Sequence, residues 1–521
     1  MKDKILSDKN KIKAFSSLLI IVLLVMGVSF AIFQNFARQS GTNNLGATNC
    51  FSVTFEGVNN AINLANDYPI PDSEGLEREP YTFKVNNNCN QYLSLSIGVE
   101  TLSTSEIPSN LIKGVIVKNG WTPTKAMLLS SGKTMEAQNG GTAYELLTDN
   151  LSANSSKTYD LRLWFDESMT KEQGASKKYQ GKVIVGATTE VEPPKNLREA
   201  ILANNLVKAP ITTPGVAIST ADEALLASAE DDYGTSYYFR GTVINNYVEF
   251  ANKCWRIVRV GGNGSVKLIL HNDNTAGVAN PCDSANNSTS AAFARYSGET
   301  YKSAFNTNYN DNAYVGFKYG TAGASDYATT HANTNNSTIL TNLETWYTNN
   351  LKTYVDTIAD TVWCNDKTNV TDTTYDPWGW NPNGLGYAKN VTYYGATQRL
   401  VSTNRSSGGT GPSLKCNGEL SKINSKVGLI TADELAFAGY ATGLQNTTTY
   451  LQENATDTYW WSLSPYYFRG VNAGVWYVGG SDGLFDGNSV DTALGVRPSI
   501  FLKPSTNVTG SGTSEDPFKV V

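Results

Sequence analysis

Residues 14–33, AFSSLLIIVLLVMGVSFAIF, form an unbroken apolar run with Lys2, Lys4, Lys9, Lys11 and Lys13 in front of it and a long, mostly polar chain behind it. A helix of this length rises about 30 Å, enough to cross the hydrocarbon core of a bilayer, and the lysines hold its start on the cytoplasmic side. Everything after the run is therefore expected outside the membrane. The run reads as an uncleaved signal anchor. The alternative is a signal peptide cut near the small residues Gly27, Ser29 and Ala31, which would release the chain as a secreted protein.

Export changes how the cysteines read. Nearest-neighbour pairing gives one candidate disulfide per module, Cys50 with Cys89, Cys254 with Cys282 and Cys364 with Cys416, although six cysteines leave the connectivity open. No C-x-x-C occurs and the chain has only two histidines, so the usual zinc-ligand spacings are missing. A net charge of −6 without a basic stripe argues against nucleic acid as a partner. With 521 residues, 40 % of them hydrophobic, the chain can bury about two or three cores. Charged residues make up only 17 %, while Tyr, Asn, Gly and Thr are abundant, the balance of a β-rich surface protein.

The expected order is a basic cytoplasmic segment (1–13), the apolar run (14–33), a spacer (34–49), a β-sandwich (50–189), a linker with a short helix (190–232) and a second β-rich domain (233–521). In the sandwich, period-2 alternation marks strands at 51–58, 81–87, 92–100, 158–165 and 179–187. Two prolines in VEPPKN, 191–196, break the sheet, and LREAILANNLV, 197–207, is apolar at helical spacing. Beyond it, CWRIVRV, the turn GGNG and SVKLIL read as a hairpin. A helix is expected near 337–358, with Ile339, Leu340, Leu343, Trp346, Leu351 and Tyr354 on one side. A second helix opens in GLITADELAFAGY, where Thr431 and Glu434 fit a capping box.

The sandwich segment resembles the camelysin and TasA-type matrix proteins. The likeness lies in the leader running into SFAIF, the stretch FKVNNNCNQYLSLSIGV, and YDLRLWFDE followed by YQGKVIV. It implies a secreted or surface-held bacterial sandwich of a kind that can assemble into fibres. The C-terminal segment carries, in order, SYYFRG, WRIVR, NDNAYVG, WCND, GLITADE, WWSLSP and GVRP. This order is similar to that of uncharacterised exported bacterial domains and, more distantly, to the formylglycine-generating-enzyme branch of the C-type-lectin fold. The resemblance implies an α+β C-type-lectin-like domain after an all-β sandwich. That branch uses a cysteine pair near the chain end. No cysteine follows Cys416 here, so its chemistry is not carried over.

No catalytic constellation stands out, and the chain is not expected to be an enzyme. G-x-S-x-G, P-loop and H-E-x-x-H motifs are missing, and His271 and His331 read as solvated loop residues. Asp433 and Glu434 read as helix-capping carboxylates, and Arg497 as a buried hydrogen-bonding residue. The candidate ligand face is Trp461, Tyr466, Tyr467, Arg469, Trp476 and Tyr477, because rigid aromatics among small polar residues give contact area at low entropic loss. Alternation would put one of Trp460 and Trp461 in the core and the other outside. No cofactor is expected. Asp482, Asp486, Asn488 and Asp491 offer oxygen ligands for calcium, but the same residues are ordinary turn formers. The expected function is an adhesin-like surface protein, held in the membrane by 14–33, that binds an extracellular glycan or protein. A matrix or fibre protein is the alternative, and an exported hydrolase the third reading.

Overall fold

The structure, a computed structural model, describes residues 35–38, 51–55, 62–65, 67–89, 91–190, 194–380, 387 and 390–521. The segments 1–13 and 14–33 and residue Cys50 lie outside the described residues. Among the described residues no helix is long and apolar enough to cross a membrane. The chain divides into two compact units between Glu192 and Pro193.

In the first unit the alternating segments become strands. Tyr81–Asn87 buries Phe83, Val85 and Asn87 and exposes Lys84, and Ile62–Ala65 alternates in the same way. One antiparallel sheet runs in the order Asn35–Arg38, Lys178–Glu190, Tyr92–Thr101, Thr142–Leu151, Thr134–Met135, with Ile62–Ala65 also on Lys178–Glu190. The other runs Phe51–Phe55, Tyr81–Asn87, Ser155–Phe165, Ile112–Lys118, Met127–Leu128. Their inner faces share one core, including Val53, Phe83, Ile97, Val99, Leu161 and Val185. Each such side chain contributes about 1.5–3 kcal/mol by leaving water. Part of the expected spacer is a strand, since Asn35–Arg38 pairs with residues 184–187. Cys89 is disulfide-bonded.

The second unit begins earlier than the expected linker allows. Lys195–Asn196 pairs with Asn507–Thr509. Helix Leu197–Asn204, whose N-terminal N–H groups bond to the Asn196 side chain, buries Leu197, Ala200 and Ile201. Ala224–Asp231 pairs along its whole length with Gly234–Gly241. A helix with an apolar stripe needs a core to cover it, so residues 195–231 are part of the domain and not a tether.

Nine strands form the main sheet of this unit, with Lys253–Val260 and Val266–Asn272 as its hairpin. A six-stranded sheet contains Trp460–Arg469, Ala473–Val478 and Phe485–Ser489. Helix Thr338–Asn350 buries Ile339, Leu340, Leu343 and Trp346. It stops at Leu351, where a 3-10 turn follows, so Tyr354 is exposed instead of extending the apolar stripe. Cys254 bonds Cys282 and Cys364 bonds Cys416. Two disulfides point to an oxidising, extracellular setting.

Candidate functional site

The six residues of the expected ligand face come together on two neighbouring strands, where Trp461 stands opposite Tyr477. Their rings, however, point into the protein. Trp461 and Trp476 are 0 % exposed, Tyr466 3 %, and Tyr467 and Tyr477 7 %. Arg469 alone is exposed, with its guanidinium near the rings of Trp380 and Tyr467. Trp460 and Trp461 are both core, against the expectation of one in and one out. The physical reason is cover on both faces. Trp460 stacks under the Arg497 guanidinium at 4.6 Å. Trp461 packs on Phe305, its indole N–H donating to the Ser303 carbonyl at 2.9 Å. Shifts of register on either side of Pro465 break the strict alternation further. The rings of Trp461, Tyr466, Tyr467, Trp476 and Tyr477 therefore form part of the core.

A cleft of about 390 Å³ opens elsewhere in the second unit. Its centre is the start of helix Ala432–Ala438, where the capping box forms as the sequence implies. Thr431 Oγ1 accepts the Glu434 N–H at 3.1 Å, and the Glu434 carboxylate accepts the Thr431 N–H at 2.9 Å. The same carboxylate also takes Arg259 Nε at 2.9 Å and Lys267 Nζ at 2.6 Å. Arg259 continues to Asp231 at 3.0 Å. Asp433 faces a different partner, receiving Arg399 Nε and Nη2 side by side, each at 2.7 Å. Arg399 Nη2 also reaches Asp366 at 2.5 Å. Trp363 and Phe501 pack edge to face, 4.9 Å between centroids, and line the cleft, and the Lys267 ammonium lies 4.7 Å from the Trp363 ring. At the lip stand Lys415, the Cys364–Cys416 bridge and Tyr233, which is 59 % exposed.

These pairings fix the charges. Burial pushes the Glu434 carboxyl up, but Lys267 and Arg259 outweigh it and hold it at about 2. Burial also pulls Lys267 down to about 8, with Glu434 working against the shift. Burial opposes the charge on Arg399, yet Asp433 and Asp366 overcome it and raise its value above the ordinary guanidinium range. At neutral pH all three groups are therefore ionised. Arg259 Nη2 and Arg399 Nη1 have no hydrogen-bond partner among the described residues. The cleft thus offers planar donors and acceptors in a fixed array, which suits recognition of a polar ligand.

The other expected residues fall outside this cleft. His271 and His331 are fully buried, not solvated, and burial drives both below the ordinary imidazole range, His331 to about 3. Arg497 is buried and donates to the carbonyls of Leu451 and Leu270. Asp482, Asp486 and Asn488 each accept a nearby backbone N–H, Asp486 also accepts the Tyr466 hydroxyl, and Asp491 accepts the Ser489 hydroxyl. Among the described residues no three His, Cys, Asp or Glu side chains converge as a metal set.

Sequence reasoning missed the cleft because its residues come from many separate stretches of the chain between Asp231 and Phe501. One signal was present. Arg259 and Lys267 stand among the apolar residues Ile257, Val258, Val260, Val266 and Leu268, and a charge inside such a strand needs a buried partner. No protein-family model matches the chain, and none of the curated proteins is significantly similar to it.

Proposed function

We propose that the chain is an exported surface-binding protein whose C-terminal domain takes a hydroxyl-rich ligand, a saccharide, in the charged cleft. The observation that carries this reading is the convergence of ion-paired arginines and carboxylates around one opening with an exposed tyrosine at its lip. Vicinal hydroxyls donate to carboxylates and accept from guanidinium groups at once, and an aromatic ring at the rim gives the sugar an apolar surface to lie on. The resemblance of the motif order to uncharacterised exported bacterial domains, and more distantly to the C-type-lectin fold, supports the same reading, as do the disulfides and the apolar run at 14–33.

The test is a screen of the purified full chain on glycan and surface-protein arrays, with and without calcium, beside a Tyr233→Ala/Lys415→Ala variant. Both substitutions lie at the exposed lip and leave the ion pairs in place. Saturable saccharide binding that weakens by about tenfold or more in the variant, equivalent to ~1.4 kcal/mol, is the expected result. Binding that is confined to proteins, or indifferent to the two substitutions, would overturn it.

A further inference from the structure

Three lysines are buried among the described residues of the second unit, and they differ in what faces them. Lys253 sits 2.7 Å from a carboxylate oxygen of Asp273, and Lys267 sits 2.6 Å from one of Glu434. Ionised carboxylates are poor electrophiles, so these two are simple ion pairs. Lys367 is different. Its ammonium, fully buried, has no carboxylate partner among the described residues; it donates to the carbonyls of Lys318 at 3.0 Å and His331 at 2.8 Å, and to the side-chain carbonyl of Asn333 at 2.5 Å. Its sequence neighbour Asp366 is turned away to Arg399.

The Asn333 carboxamide is itself held in place. Its Nδ2 donates to the carbonyls of Leu420 at 3.2 Å and Lys422 at 3.4 Å, which leaves Oδ1, and with it the acyl carbon, on the lysine side. A carboxamide is neutral and can acylate an amine, with ammonia as the leaving group. Burial pulls Lys367 down to about 7, so a large share of the side chain is free amine at neutral pH. Loss of one proton leaves two hydrogens for three acceptors and frees a lone pair beside the carboxamide.

We propose that Lys367 and Asn333 form an intramolecular amide bond, a covalent staple that ties the loop after helix Tyr327–His331 to the segment after strand Thr361–Cys364. Lys367 Nζ, as the free amine, adds to Asn333 Cγ. One proton moves from Nζ to Nδ2 in the tetrahedral adduct, the Cγ–Nδ2 bond breaks, and ammonia leaves. No oxidant or cofactor takes part. The fixed geometry supplies the proximity that makes such an attack competitive with hydrolysis. The staple and the neighbouring Cys364–Cys416 bridge would lock the same part of the domain by two independent chemistries, one reducible and one not.

A tryptic map of the reduced and alkylated full chain decides the matter. The bond blocks cleavage after Lys367 and joins peptide 319–352 to peptide 353–389 as a branched species lighter than their sum by one ammonia. Fragmentation that places the link between Lys367 and Asn333 separates it from a cyclised asparagine, which has the same mass loss but no branch. In Lys367→Arg, which keeps a cation facing the three carbonyls, and in Asn333→Ala, the branched species should vanish. Recovery of linear 319–352 and of a peptide ending at Lys367 from the wild-type chain, with no branched species, would overturn the proposal.

Discussion

The two units of this chain bury their strands in different ways. In the sandwich, the strands Ile62–Ala65 and Tyr81–Asn87 alternate between buried and exposed positions, because one face of each of these strands meets the shared core and the other meets water. In the second unit, Val266–Asn272 is buried at every position and Trp460–Arg469 at all but its last. These sheets are covered on both sides. Alternation then carries no information about which face is outside, and any charge within such a strand must be paired. The sandwich satisfies its buried Glu100 carboxylate with the backbone N–H groups of Gln138, Asn139 and Gly141, whereas the second unit draws Arg259 and Lys267 into its interior and arranges carboxylates around them.

The strongest way to break the comparison is to truncate one residue of each kind. Trp476 packs 4.4 Å from Tyr466 and 4.6 Å from Phe485 between ring centroids, so Trp476→Ala should destabilise the second unit by about 3–5 kcal/mol in urea unfolding. Lys84→Ala on the exposed face of the sandwich should stay within about 0.5 kcal/mol of wild type. Equal effects would show that the aromatic segment is not core.

The ion pairs give the next largest effect. Glu434 is held at about 2 against an ordinary 4.5, so its contribution is complete above pH 4.5 and is lost as pH falls through 4.5 towards 2. Over that window the second unit should lose about 3 kcal/mol from this group. In Glu434→Gln, less stable at neutral pH, this acid limb should be missing. A wild-type profile that stays flat between pH 4.5 and 2 would contradict the pairing with Lys267 and Arg259.

Smaller effects sharpen the picture. Thr431→Ala removes the cap hydroxyl and should lower stability by about 1 kcal/mol, seen as a shift of the urea midpoint without change of slope. Tyr233→Ala, at an exposed lip, should change stability by less than about 0.5 kcal/mol while weakening saccharide binding. A loss of stability in step with the loss of binding would mean that the ring supports the fold.

The sequence was most informative where local chemistry decides local structure. The capping box at Thr431 and Glu434, the hairpin CWRIVRV–SVKLIL and the sandwich strands around Phe83, Leu95 and Leu161 all rest on short-range patterns, and all form. Strands Ile112–Lys118 and Thr142–Leu151 were missed, the second because six of its ten residues are neither fully buried nor exposed and give no clean alternation. The linker reading failed because the apolar stripe of Leu197, Ala200 and Ile201 finds its cover far along the chain, beside Asn507–Thr509. The cleft was illegible for the same reason. Asp231, Arg259, Lys267, Asp366, Arg399 and Glu434 meet only once both sheets and the Cys364–Cys416 loop are in place, and no spacing in the sequence encodes that meeting.

The central claim is that the ligand enters the charged cleft and not the aromatic segment. Hydrogen–deuterium exchange of the full chain, with and without the saccharide selected on the array, tests it most directly. The account predicts slowed exchange in peptides covering 231–236 and 413–418, with 459–489 unchanged. Protection confined to 459–489 would contradict it and return the binding face to the aromatic strands.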